Sequence, residues 1–311
     1  AQGVMLPYLV CQRWFELVSA AKLIEKSSIV AATALGGDFG FSQRVRNVES
    51  GGLAGLLKGL KLELDLTRGQ DDFRAKVVDA SDDTTPAQLA EAICRELAAD
   101  DGEVEIGYAN GKRYVVRPLI EPVTNLPRTD IARGGAWVIT GGARGVTAVV
   151  AQELGARFGL KLHLIGSSPL PEIAETYHQM SADELKEVRA SVMKEALSNG
   201  EKPIDAWARF EKALEIDNTL RSYASAGVQA TYHCCDISDR RSLAGVLDSI
   251  RAVDGPIQGI IHGSGFERAC RFEKKKRELV EKTIAAKVDG AVALMELTRQ
   301  DPLRYFAAFG S

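Results

Sequence analysis

An apolar segment that runs directly into a glycine-rich turn and then into a helical pattern most constrains the fold of this chain. Residues 136–147 read AWVITGGARGVT, and the helical pattern AVVAQELGARF follows at once. Gly141 and Gly142 permit backbone angles that a side chain forbids, and Gly145 lets the positive end of the helix approach an anion. The segment predicts a strand, a turn and a helix that bind the pyrophosphate of a dinucleotide.

A second apolar strand supports this prediction. Residues 160–165 follow the first strand by about 20 residues, as a βαβ nucleotide-binding unit requires. Thr147 replaces the third glycine of the common fingerprint. A strand, turn and helix with a purely structural role is therefore the alternative. The predicted phosphate-binding residues are Thr140, Gly141, Gly142, Ala143, Arg144, Gly145 and Val146.

The end of the second strand bears on the choice of cofactor. An acidic residue there bonds the ribose 2′-hydroxyl of NAD and repels a 2′-phosphate. The sequence instead reads Gly166-Ser167-Ser168, and Arg144 offers a guanidinium that can bind a phosphate. These residues favour NADP over NAD, with Ser167 in the cofactor site. The alternative for Arg144 is a solvated loop charge.

Composition excludes several classes of protein. The 311 residues are 45% hydrophobic and 26% charged, as expected of a soluble globular protein of two domains. The net charge of −3 gives no reason to expect nucleic acid. The five cysteines lack C-x-x-C spacing, the histidines are isolated, and neither a membrane-spanning run nor a signal-peptide pattern is visible. We therefore expect a cytoplasmic protein without a metal site.

The first half of the chain has alternating helix and strand patterns but lacks a convincing phosphate loop. Gly36-Gly37 follows a strand, yet Asp38 comes next and would repel an anion. Proline and glycine in 120–135 are typical of a linker. We predict a first domain over 1–130 that binds no cofactor. The second domain covers 131–311 and contains a helical insertion at 169–227.

Several motifs of the second half together resemble the short-chain dehydrogenase/reductase superfamily, and within it the ketoreductase domain of type I polyketide synthases. They are TGGARG at 140–145, CDISD around Asp236, HGSG at 262–265, AAKVDG around Lys287, and the final FGS. The GGARGVT variant and the insertion are most similar to the ketoreductases of polyunsaturated-fatty-acid and enediyne synthases. The resemblance implies an α/β fold of two Rossmann-like subdomains. The first is truncated and structural, and the second is a doubly wound parallel sheet that binds NADPH.

The resemblance also implies roles for individual residues. Ser311 aligns with the catalytic serine of the family, and Lys287 with the lysine of its proton relay. Asp236 accepts a bond from the adenine amino group, with Ile237 against the ring. The residues expected beside the nicotinamide ribose are His262, Gly263 and Ser264. The alternatives are an exposed helix lysine at Lys287 and a helix cap at Asp236.

The implied activity is NADPH-dependent reduction of a β-ketoacyl thioester carried by an acyl carrier protein, within a multidomain synthase. In the family the catalytic tyrosine follows the serine, and this sequence stops at Ser311. The alternatives are a non-catalytic structural module of a synthase and a free-standing reductase of small metabolites. The basic run Lys274–Arg277 is either a solvated helix face or a docking patch for an acidic carrier protein.

Overall fold

The computed structural model describes residues 2–42, 45, 48–68, 73–122, 130–170, 173–266 and 270–310. The chain forms two compact units, Ala1–Leu126 with Arg268–Glu281 and Pro127–Glu267 with Lys282–Ser311. The second domain expected from the sequence included the stretch around Phe272. This stretch belongs to the first unit, because the buried Phe272 ring packs on the rings of Tyr8 (5.1 Å) and Phe15 (6.0 Å).

The first unit is built on one four-stranded sheet in the order β1-β2-β3-β4. The first three strands are parallel, and β4 pairs with β3 antiparallel. The turn between them has positive φ at Asn110 (51°) and Gly111 (71°), as a tight hairpin requires. The elements in chain order are α1 (Gln2–Ala20), β1 (Ser28–Thr33), α2 (Gly51–Arg68), β2 (Arg74–Ala80), α3 (Pro86–Ala98), β3 (Glu105–Ala109) and β4 (Lys112–Val115).

The turn after β1 uses its backbone amides within the protein. The fully buried carboxylate of Asp79 accepts hydrogen bonds from the amides of Leu35 (2.7 Å) and Phe39 (2.9 Å). Gly37 approaches β3 so closely that a Cβ there would lie 2.3 Å from the carbonyl oxygen of Tyr108. An internal carboxylate therefore lies where the amides of this glycine turn converge.

The second unit contains a five-stranded sheet in the order β7-β6-β5-β8-β9, and all of its strand pairs are parallel. The chain winds outward from β5 in one direction and later crosses to β8 on the other side. Ligands of such sheets bind outside the carboxyl ends of the strands at this switch point. From β5 onward, the elements in chain order are β5 (Ala136–Thr140), α4 (Gly145–Phe158), β6 (Lys161–Gly166), α5 (Ala182–Ser198), α6 (Pro203–Ser225), β7 (Gln229–Cys234), α7 (Arg240–Asp254), β8 (Ile257–His262), α8 (Arg277–Ile284), α9 (Gly290–Leu297) and β9 (Tyr305–Ala308). Of α8, residues 277–281 belong to the first unit.

Both faces of this sheet are covered. The apolar strand β5 alternates: Val138 packs into a cluster with Leu247 of α7 and Leu294 of α9. Ile139 packs into the opposite cluster with Ile216 of α6, together with residues of α4. Side chains of successive strand residues point to opposite faces, so a run that is apolar throughout is buried on both. The predicted doubly wound α/β fold is confirmed.

Residues 274–298 have a helical sequence pattern, which the structure divides into several elements. A 3₁₀ turn at Phe272–Lys274 precedes α8, and a π turn at Ala285–Asp289 separates α8 from α9. Gly290, which follows the π turn, lies so close to the side chain of Ile237 that a Cβ there would be 2.5 Å from the isoleucine Cδ1. Such turns re-aim side chains and are frequent at functional sites.

In the described part of the chain, no helix is long and apolar enough to cross a membrane. The same part contains no group of three or more histidine, cysteine or acidic side chains arranged to hold a metal ion. All five cysteines are free thiols, and Cys11 and Cys235 are buried.

Candidate functional site

A cleft of about 460 Å³ opens at the carboxyl ends of β5, β6 and β8. We call this part of the cleft the first lobe. It brings together residues that are far apart in the sequence, because the turns after neighbouring parallel strands meet at one edge of a sheet. The predicted residues that line it are Gly141, Ala143, Arg144, Gly145, Val146, Ser167, Gly263 and Ser264.

The glycine turn fits closely against the loop after β8. Gly141 has a φ of +69°, and a Cβ on it would lie 2.7 Å from the carbonyl oxygen of Gly263. Gly142 is buried instead of lining the lobe, since a Cβ there would be 2.4 Å from Cγ2 of Ile139. Gly145 has a φ of +58° and open space beside it. The turn therefore leaves backbone rather than side chains facing the cleft.

Helix α4 begins at the first lobe without a side-chain cap. Its N-cap residue, Arg144, is extended (φ −151°) and its side chain does not bond the helix amides. The amides of the first turn are thus available to an anion, which the helix dipole also favours. Thr147, in place of the third glycine, is accommodated because the facing residue is Gly263. A Cβ on Gly263 would lie 2.3 Å from the threonine Oγ1.

A second lobe of about 330 Å³ adjoins the first at the ends of β6 and β7. Asp236 and Ile237 line it together with Ser167 and Ser264, which also line the first lobe. The Asp236 carboxylate accepts the Ser238 amide (2.9 Å) and hydroxyl (2.7 Å).

The alternative reading of Asp236 as a helix cap is wrong. The N-cap of α7 is Asp239, whose carboxylate accepts the amides of Arg241 (3.0 Å) and Ser242 (3.3 Å). Asp236 is exposed and lines the second lobe. Its carboxylate can therefore face a ligand.

His262 and Thr140 lie beneath the cleft rather than on it. His262 is 4% exposed; its Nδ1 lies 2.8 Å from Oγ1 of Thr140, and its Nε2 lies 2.9 Å from the carbonyl oxygen of Lys287. Both ring nitrogens therefore have partners in the protein. The imidazole thereby ties β5 and β8 to the π turn, and the place of His262 beside a nicotinamide ribose stays a prediction.

The π turn carries Lys287, whose side chain is exposed and packs over the loop after β8. A Cβ on Gly265 would lie 3.1 Å from the lysine Cε, so the glycine makes room for this side chain. The expected catalytic residue Ser311 lies outside the described residues. Lys287 is therefore held at the edge of the cleft by the turn, although it does not line either lobe.

The KR domain family model matches residues 135–311, which is more than half of the chain. This chain belongs to the KR domain family. The matched part includes the five-stranded sheet and both lobes of the cleft. The ketoreductase resemblance predicted from the sequence motifs is thereby confirmed.

Relatives of this KR domain are multidomain synthases. A polyunsaturated fatty acid synthase component of Thraustochytrium sp. is 26% identical over 306 residues, which cover 92% of this chain and 11% of that protein. Polyketide synthase PksL of Bacillus subtilis is 27% identical over 232 residues, 72% of this chain and 4% of that protein. The chain thus spans a small part of the curated relatives that it matches.

Solved structures show the same fold. A ketoreductase domain from the bacillaene assembly line superposes with a TM-score of 0.62 at 21% identity, over 99% of this chain and 61% of that one. The PlmKR1 ketoreductase of phoslactomycin biosynthesis gives a TM-score of 0.60 at 22% identity, over 91% of this chain and 54% of that one.

The insertion of the KR domain contributes residues to the cleft that the motifs did not reveal. Tyr223 of α6 is 1% exposed, and its hydroxyl lies 2.5 Å from the carbonyl oxygen of Ala148 and 3.1 Å from that of Gly142. Lys212 and Glu215, also on α6, line the first lobe. The sequence signal was the helical spacing of the insertion, but spacing alone does not tell which surface a helix covers.

Buried histidines make the stability of the KR domain depend on pH. Burial lowers the pKa of His262 below its ordinary value of 6.5, and it also lowers the pKa values of His163 and His233. Between the folded pKa values and pH 6.5, the unfolded chain therefore binds more protons than the folded chain. The contribution of the neutral histidines to the free energy of unfolding is therefore complete above pH 6.5. It is lost as the pH falls toward the pKa values of the folded state.

We expect the free energy of unfolding to decline between pH 7 and pH 5, by up to about 1.4 kcal/mol per pH unit for each histidine. Denaturant titrations at a series of pH values measure this slope. His262→Gln removes one of the three groups and should make the slope shallower. An unchanged slope in this variant would contradict the assignment to His262.

Proposed function

We propose that this KR domain reduces the 3-keto group of an acyl chain, held as a thioester on an acyl carrier protein, to the 3-hydroxyacyl product with NADPH. The observation that carries the proposal is the cleft at the switch point of the sheet. There a side-chain-free glycine turn and an uncapped helix N-terminus face the loop over which Lys287 packs. Membership in the KR domain family supports the same reaction.

The residues of the cleft fit a dinucleotide. The pyrophosphate would be held by amides at the start of α4, where neither Gly141 nor Gly145 presents a side chain. The second lobe offers the apolar side chain of Ile237 to a base and the carboxylate of Asp236 to an amino group. Ser167 stands at the end of β6 where NAD-binding sheets have an acid, so a 2′-phosphate meets no carboxylate from this position.

NADPH supplies the hydride when it is bound. Addition of hydride to a ketone develops negative charge on the oxygen, which donors fixed in advance stabilise. The resemblance gives Ser311 a hydrogen bond to this oxygen. For Lys287 we propose a bond to the nicotinamide ribose and a charge that favours proton delivery, since a nearby ammonium lowers the pKa of a hydroxyl donor. The buried His262 positions the backbone that carries Lys287.

The proposed partners are an acyl carrier protein and other synthase domains, in keeping with the multidomain relatives. The basic run Lys274–Arg277 remains a candidate docking patch. Arg277 pairs with Glu281 at 2.7 Å, so among the described residues the three lysines of the run are the charges that could attract an acidic carrier.

The decisive experiment is NADPH oxidation by the native polypeptide with a β-ketoacyl thioester, with NADH in a parallel assay. We expect turnover that prefers NADPH and that falls by on the order of 10² in Ser311→Ala. Ser249→Ala on α7, an exposed serine whose hydroxyl bonds the Val246 carbonyl, is the matched control and should keep full activity. Absence of turnover in a protein that binds NADPH would overturn the proposal.

A further inference from the structure

Lys212 lies where the two lobes of the cleft meet. It belongs to α6 of the insertion, and it lines both the first lobe and the second lobe. The first lobe holds the glycine turn, and the second holds Asp236 and Ile237. Ser167, at the end of β6, is also common to both lobes. A dinucleotide with its pyrophosphate at the glycine turn and its base at Ile237 would place the adenosine ribose at this junction.

The charges around Lys212 are arranged for an anion. Its ammonium has no carboxylate within 4.0 Å among the residues that the structure describes, and the nearby Glu215 forms an ion pair with Arg144. Burial lowers the pKa of Lys212 and the positive charge of Arg144 lowers it further, while the charge of Glu215 opposes the shift only in part. An anion that enters beside these two cations would restore the balance of charge, since an opposite charge favours the ammonium form.

We propose that α6 completes the 2′-phosphate site of the cofactor, with the Lys212 ammonium and the Arg144 guanidinium binding the phosphate together and Glu215 holding Arg144 until the phosphate replaces it. The inference rests on the proposed NADPH-dependent function. It assigns the insertion a role in cofactor selection: the helix brings a cation to the end of β6, where the strand itself presents only Gly166, Ser167 and Ser168.

The test is the binding of adenosine 2′,5′-bisphosphate and of 5′-AMP, which lacks the 2′-phosphate, to the unmodified chain and to Lys212→Met. Methionine keeps the length of the side chain without its charge. We expect the bisphosphate to bind about 10- to 100-fold more weakly to the variant, as for a lost charge-assisted hydrogen bond, and 5′-AMP affinity to change less than about twofold. Lys194→Met, an exposed position on α5, is the control and should change neither affinity.

Equal losses for the two ligands, or no loss for the bisphosphate, would overturn the role of Lys212. Glu215→Gln tests the second part: we expect tighter binding of the bisphosphate, because no carboxylate then competes for Arg144. Weaker binding would overturn the role given to Glu215. These results are independent of turnover. A chain that binds the bisphosphate through Lys212 but reduces no thioester refutes the proposed function alone, whereas active enzyme with unaltered binding in Lys212→Met refutes this inference alone.

Discussion

Gly263→Ala should sharply weaken cofactor binding by the KR domain. The new Cβ would lie 2.3 Å from Oγ1, 2.6 Å from Cγ2 and 3.0 Å from Cβ of Thr147, a buried residue in the first turn of α4. The new Cβ and the Thr147 side chain cannot move apart unless the start of α4 or the loop after β8 shifts. We expect a stability loss of about 1–3 kcal/mol, as for an overpacked core. The affinity for the proposed cofactor NADPH, measured by isothermal titration, should fall on the order of tenfold or more.

This steric clash predicts that a second substitution, at Thr147, restores cofactor binding. Thr147→Gly removes all three contacting atoms, so the double variant should bind NADPH far better than Gly263→Ala alone. Recovery will be incomplete in stability, because glycine in a helix costs up to about 1 kcal/mol. Gly245→Ala on α7, where nothing lies within 4 Å, is the control and should bind normally. A double variant as weak as the single one would show that Thr147 is not the obstacle.

This pair of residues illustrates what local sequence reasoning resolves. The strand, turn and helix around Gly141 were predictable because apolar runs and glycine positions act within a few residues of the chain. The threonine at position 147 read as a departure from the fingerprint. Its compensation lies in Gly263, on a loop more than a hundred residues later, and only the pairing of β5 with β8 brings the two together.

Other features could not be predicted from the sequence for the same reason: they depend on contacts between distant parts of the chain. His262 is the last residue of β8, and its motif does not reveal where the ring lies. The register of β8 with β5 turns the ring inward onto Thr140. The π turn at Ala285–Asp289 interrupts a continuous helical pattern without a proline to mark it. The placement of Phe272 in the first unit depends on Tyr8, which lies at the other end of the sequence.

The two units also show how the same strand-turn arrangement is directed to different ends. After β5, the amides at the start of α4 face a cleft. After β1, the amides of Leu35 and Phe39 are bonded by the buried Asp79. A carboxylate supplied by the protein therefore fixes this turn of the first unit. The same principle extends to its principal ion-pair cluster.

Glu96→Gln should destabilise the first unit by up to about 3–5 kcal/mol, because it removes the most buried charge of an ion cluster. The Glu96 side chain is 1% exposed; it accepts both Arg113 Nε (2.7 Å) and Nη2 (2.9 Å), the Lys76 ammonium (3.2 Å) and the Tyr108 hydroxyl (2.6 Å). These bonds join α3 to β2, β3 and β4. The variant leaves Lys76 and Arg113 with only the partly exposed Asp101 as a shared carboxylate, and urea denaturation measures the loss.

The pH dependence separates charge from packing. The Arg113 hydrogen bonds hold the pKa of Glu96 at about 2, below its ordinary value of 4.5. This contribution is therefore complete above pH 4.5 and is lost as the pH falls toward 2. The difference between the unmodified chain and Glu96→Gln should shrink over this range. Glu91→Gln, which breaks an exposed pair with Arg95 on the same helix, should cost less than about 0.5 kcal/mol. If the two variants lost equal stability, the buried cluster would not be what holds α3 on the sheet.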